Sequence, residues 1–205
     1  MRKLVIALLF VFAVASGAAS AQEPARKQAA PPSPPQPALS EDVTDARLRA
    51  LFDAAREAIA GMRFDEALRL TEQGLAAAPN QPSFWLNRAH ALYARGAATY
   101  NRFYRSKEEA ERKAGLEASR RDFRDALAAA TRGLALIDDY QPSDDEALRT
   151  SLAALRRAAL WQRAEILFTC ATRVDESYYP DALAAFEQYA SVETDPAMSN
   201  VARYF

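Results

Sequence analysis

Beyond Ser40 the chain almost stops using the residues that build strands. Residues 41–205 hold four valines (Val43, Val174, Val192, Val201) and three isoleucines (Ile59, Ile137, Ile166). Alanine, leucine, arginine and glutamate take their place. Strands favour β-branched side chains, whereas this set favours helices. The expectation for residues 41–205 is an all-α domain with no sheet.

Proline, asparagine and aspartate punctuate that helical stretch. Pro79, Asn80 and Pro82 break it once, and Asp138, Asp139 and Pro142 break it again. Ser143 and Glu146 have the S-x-x-E spacing of a capping box. Pro180 suits a first helical turn, where a missing N–H costs little, and Asp195-Pro196 reads as a cap followed by a first-turn proline. The predicted helices are 44–60, 65–78, 83–105, 117–137, 145–173, 180–191 and 196–204. Residues 106–116 are left without a clear period.

The first forty residues differ in kind. Arg2 and Lys3 precede an apolar run from Leu4 to Val14, and small residues lead to Ala19-Ser20-Ala21. A basic start, a short apolar segment and an A-x-A end describe a secretory signal peptide, with cleavage after Ala21. The rival reading is a retained anchor, but the run falls short of the ~20 residues a spanning helix needs. Residues 22–40 carry six of the eleven prolines and little apolar surface. They read as an extended, disordered linker reaching on the order of 60 Å at ~3.1 Å per residue. A polyproline ligand for another protein is the alternative use. Export implies a periplasmic or secreted location, with no stable membrane insertion after cleavage.

Loss of Arg2 and Lys3 leaves 24 basic against 27 acidic residues. Nucleic-acid binding needs a concentrated basic face, which this mixed, mildly acidic pattern does not supply. The single cysteine, Cys170, has no internal disulfide partner in an oxidising compartment. Its apolar neighbours Ile166, Leu167 and Phe168 favour a buried small side chain over a reactive thiol or an intermolecular bridge.

Two segments repeat one pattern. Phe64-Asp65-Glu66-Ala67-Leu68 leads to Gly74-Leu75-Ala76, and Phe123-Arg124-Asp125-Ala126-Leu127 leads to Gly133-Leu134-Ala135. A looser third copy starts at Tyr179-Pro180-Asp181-Ala182-Leu183. Small residues let helices approach closely. A glycine inside a helix costs ~1 kcal/mol relative to alanine, so its recurrence at matched points indicates a steric need. Each hairpin would leave an apolar face that its neighbours cover.

This pattern resembles the tetratricopeptide repeat, best over residues 48–96. Trp85, Ala89, Leu92 and Gly96 stand where that family has its tryptophan, small residue, large apolar residue and turn glycine. The family period is about 34 residues. Here Ala67 and Ala126 are 59 apart and Ala182 lies 56 further on, so helices are lengthened or one is inserted. The expected fold is stacked antiparallel helical hairpins, about three irregular repeats. In such proteins the first helix of each hairpin lines the concave face. The resemblance therefore points to Phe52, Arg56, Asn87, His90 and Tyr93 as partner contacts.

No constellation for chemistry stands out. His90 is the one histidine, which excludes paired-histidine metal sites. There is no Gly-rich phosphate loop and no nucleophile elbow. Asp138/Asp139, Asp144/Asp145 and Glu108/Glu109 read as turn, cap and solvated helix face. No enzyme activity, cofactor or metal is expected.

Tyr100-Asn101-Arg102-Phe103-Tyr104-Arg105 is the most unusual polar–aromatic cluster. Rings and arginines are enriched at binding hot spots, which makes Tyr100 and Tyr104 candidate contacts. Their i, i+4 spacing equally fits a buried stripe. The leading functional expectation is a non-catalytic adaptor of the bacterial cell envelope that binds a protein or peptide segment. The alternatives are a small-ligand-binding helical protein serving a transporter and a self-assembling structural protein, with Tyr204 and Phe205 docking on a second copy.

Overall fold

The computed structural model describes residues 46–140 and 145–203. The predicted signal peptide, the linker, Ser143, Tyr204 and Phe205 lie outside the described residues. Within them the chain forms helices and no strands.

Helix α1 (Ala46–Ala60) buries Phe52, Ala55, Ala58 and Ile59, one stripe at helical spacing. Its end is a Schellman closure: the Arg63 N–H bonds the Ala58 carbonyl at 2.8 Å and the Met62 N–H bonds the Ile59 carbonyl at 2.9 Å. Met62 takes the left-handed conformation there (φ 56°), although Gly61 stands one residue earlier. Helix α2 (Phe64–Ala77) buries Ala67, Thr71 and Gly74 on one face. Helix α3 (Pro82–Phe103) opens on its proline, and the Trp85 indole N–H fixes the turn by donating to the Pro79 carbonyl at 2.9 Å.

Helix α4 (Glu109–Asp138) begins eight residues before the expected start at 117, so most of the unassigned stretch is its first two turns. The reason is packing. Gly115 lies flat against the Phe103 ring, and Ser119 Oγ donates to the Gly96 carbonyl at 2.8 Å. The extra residues between Gly96 and Phe123 thus lengthen α3 and α4. One family expectation changes with this. Gly96 is no turn residue: it lies buried inside α3, where a side chain would press on Phe123 and Asp122. Phe123 lies buried in the middle of α4.

Helix α5 (Glu146–Arg173) is capped by Asp145, whose carboxylate accepts the Ala147 and Leu148 N–H groups at 2.8 and 3.3 Å. The expected capping box placed that role on Ser143. A short 3-10 turn (Glu176–Tyr178) leads into α6 (Tyr179–Val192), and α7 (Pro196–Arg203) starts from an Asp195 carboxylate that accepts the Ala197 N–H at 2.8 Å.

Consecutive helices pack as hairpins: α1 with α2, α3 with α4, α5 with α6, and α7 on α6. In addition the backbone of α1 comes close to that of α3, and α3 to α5, while the backbones of α2, α4 and α6 stay further apart. The stack therefore closes up on the side of the first helices and opens on the side of the second. The matched small residues are what let it do so. Ala67, Ala126 and Ala182 are buried, as are Gly74 and Gly133. Gly74 meets Phe84 on the following helix, whereas Gly133 meets Leu86 and Trp85 on the preceding one. The largest apolar cluster lies between α3, α4, α5, α6 and α7, around Leu86, Leu160, Trp161, Leu167 and Phe186.

Candidate binding face on the first helices

The three first helices bring together most of the residues singled out in the sequence. Phe52 is the exception. It is fully buried, its ring edge-on to Phe84 at 6.1 Å, so it supports the face from beneath instead of meeting a partner. The expectation of a Phe52 contact is corrected accordingly. A phenylalanine at that point of α1 fills the gap to α3, and such a ring pair adds about 0.5–1.5 kcal/mol beyond its burial.

Arg56 lies over the Phe52 ring at 5.8 Å and close to His90 on α3. His90 is exposed at the rim. Enough protein surrounds the ring that desolvation, and then the Arg56 charge, hold its pKa below the usual 6.5. The neutral imidazole is the form this surface favours. Asn87, one turn earlier on α3, is only 3% exposed, and its Nδ2 has no hydrogen-bond partner. A buried N–H donor left unmet costs about 1–3 kcal/mol.

Towards α5 the contacts are firmer. The Tyr93 and Thr169 hydroxyls share a hydrogen bond at 3.3 Å, and the Tyr93 ring tilts against Phe123 at 5.9 Å. Burial pushes the Tyr93 pKa up. Gln162 of α5 donates to the Leu86 carbonyl of α3 at 3.1 Å, which locks the two helices in register. Next to Thr169, one turn back, stands Glu165. Burial pushes its carboxyl up to about 7, and the nearby Trp161 N–H offsets this only in part. That indole N–H itself makes no formed hydrogen bond. At the far end Tyr100 and Tyr104 stack with centroids 5.2 Å apart, and the Arg173 guanidinium lies 4.4 Å over Tyr100.

Glu165, Thr169 and Arg173 were missed in the sequence. Their i, i+4, i+8 spacing marks one face of α5, but only the packing against α3 turns that face towards Tyr93 and Tyr100. Cys170, next to Thr169, belongs to the core beneath. It is fully buried, its thiol donates towards the Phe123 carbonyl at 3.8 Å, and burial pushes its pKa up to about 11. Such a thiol is inert.

Behind the face, Arg95 of α3 grips Asp122 of α4 with Nε at 2.9 Å and Nη2 at 2.7 Å, and reaches Asp65 of α2 with Nη1 at 2.7 Å. Two shallow depressions stand out among the described residues. One of about 320 Å³ is lined by Glu117, Arg120, Arg124 and Asp175 among others, and one of about 350 Å³ by Arg95, Arg121, Asp122 and Asp125 among others. Among the described residues no three His, Cys, Asp or Glu side chains stand close enough to hold a metal ion. No described helix is long and apolar enough to cross a membrane.

These features define an all-α stack of antiparallel helical hairpins with a polar–aromatic face on its first helices. No protein-family model, curated protein or solved structure gives a match to the chain.

Proposed function

We propose that this chain is an exported, tetratricopeptide-like adaptor without catalytic function, which holds a protein or peptide segment along the face of α1, α3 and α5. The observation that carries the reading is the stacked Tyr100/Tyr104 pair, with Tyr104 55% exposed, on the same helix as the exposed His90. Exposed rings beside polar and charged side chains are the groups enriched where proteins hold peptides. The face offers Arg56 for charge, His90 for hydrogen bonding and the Tyr100/Tyr104 rings for apolar contact. From Asn87 to Tyr104 the helix rises about 25 Å, the length of roughly seven or eight extended residues. The envelope location rests on the signal-like N-terminus and the A-x-A sequence ending at Ala21. The two charged depressions lend no support to an apolar pocket for a small solute.

The test is cross-linking in living cells. A photo-reactive residue at Ala94, one turn beyond His90, should give a discrete product with a second protein. The same probe at Gln73, exposed on α2, should not. Equal products from both positions, or none from Ala94, would sink the assignment of this face.

A further inference from the structure

The far end of the face shows what chemistry the partner should carry. Arg173 is held between two rings, with its guanidinium 4.4 Å over Tyr100 and 5.9 Å from the Phe123 centroid. Among the described residues its side chain donates no hydrogen bond and pairs with no carboxylate. Asp175, two residues on in the chain, accepts the Ser177 N–H, and Glu117 of α4 receives Arg120 and Arg124. Arginine presents a rigid fork of donors, and a fork already oriented loses little freedom on meeting a carboxylate.

Beside it is a flat apolar platform. Tyr104 stacks on Tyr100 with an interplanar angle of 16° and remains 55% exposed. Exposed aromatic rings take aromatic side chains or the pre-formed, extended backbone of proline.

We propose that Arg173, Tyr100 and Tyr104 form a docking site for a peptide segment bearing a carboxylate within one or two residues of an aromatic or proline ring. The inference rests on the reading that this face holds a peptide, and names the chemistry of that peptide. The carboxylate seats on the Arg173 fork and the adjacent ring lies on Tyr104.

The experiment uses the mature protein and a displayed library of random peptides. Enriched sequences are made as labelled peptides and titrated by fluorescence anisotropy. They should share an Asp or Glu next to Phe, Tyr, Trp or Pro. Arg173→Gln should weaken them about 10–100-fold, and replacing the peptide's acid by its amide should cost no more once Arg173 is gone. Tyr104→Ala should weaken them about 5-fold or more while leaving the circular dichroism unchanged. Peptides that respond to His90→Ala but not to Arg173→Gln would overturn the acidic site and leave the face. Peptides indifferent to both variants, or no enrichment at all, would overturn both.

Discussion

Gly74 of α2 lies so close to the Phe84 ring of α3 that a methyl group on Gly74 would enter the ring's van der Waals surface. Phe84 is fully buried and edge-on to Phe52, so the ring has nowhere to go.

Gly74→Ala should therefore destabilise the fold by about 1–3 kcal/mol, despite the ~1 kcal/mol that alanine gains in a helix. Gly133→Ala should cost less. Its added carbon would meet the tip of Leu86 at 2.9 Å, and a flexible tip can yield. Urea unfolding of both variants checks the order. Equal effects would mean that the two glycines do not serve different contacts.

Arg95 is the tie between three helices. Asp122 is 8% exposed, so removing its partner leaves a carboxylate buried without compensation. Arg95→Met should cost about 2–4 kcal/mol, somewhat below a fully buried pair because Arg95 is partly solvated. Asp65→Asn should change far less, since that side chain is 88% exposed. Denaturant midpoints of the two variants measure the contrast.

The face should make stability depend on pH. Glu165 has a folded pKa of about 7 against an ordinary value of 4.5. Between those values the folded state binds more protons than the unfolded one. Its contribution is therefore greatest below about 4.5 and is lost as the pH rises through 7. His90 acts in the opposite sense: its lowered pKa costs stability as the pH falls below 6.5. Glu165→Gln should remove the first effect alone. Its advantage over the natural protein should grow by on the order of 1–2 kcal/mol from pH 5 to pH 8. A flat difference across that range would show that the Glu165 carboxyl is not desolvated.

Met62 is the one described non-glycine residue with positive φ. It is 70% exposed, so its side chain buries little. Met62→Gly should remove the strain of the left-handed conformation and stabilise by about 0.5–1 kcal/mol. The midpoint of thermal unfolding should rise by roughly 1–3 °C. A fall would mean that the methionine makes a contact worth more than the strain.

The scarcity of valine and isoleucine decided the helical class, because propensity sums over a long window. Proline and aspartate decided several boundaries, because a missing N–H or a capping carboxylate acts within one turn. The repeated Phe-x-x-Ala-Leu…Gly pattern announced close packing, and Ala67, Gly74, Ala126 and Gly133 are all buried. None of these depends on residues far away in the chain.

Tertiary structure decided the rest. Gly96 reads as a turn residue, yet it lies inside α3 because Ser119 and Phe123 close over it. Phe52 reads as a contact residue and is core, because α1 leans on Phe84. Asp145 takes the cap that the sequence assigns to Ser143. Arg173 joins Tyr100, and Thr169 joins Tyr93, across more than seventy residues of chain. Local preference carries no information about which faces of distant helices meet. That is fixed by how the small and large side chains of all the hairpins fit together, and the candidate face exists only once they have done so.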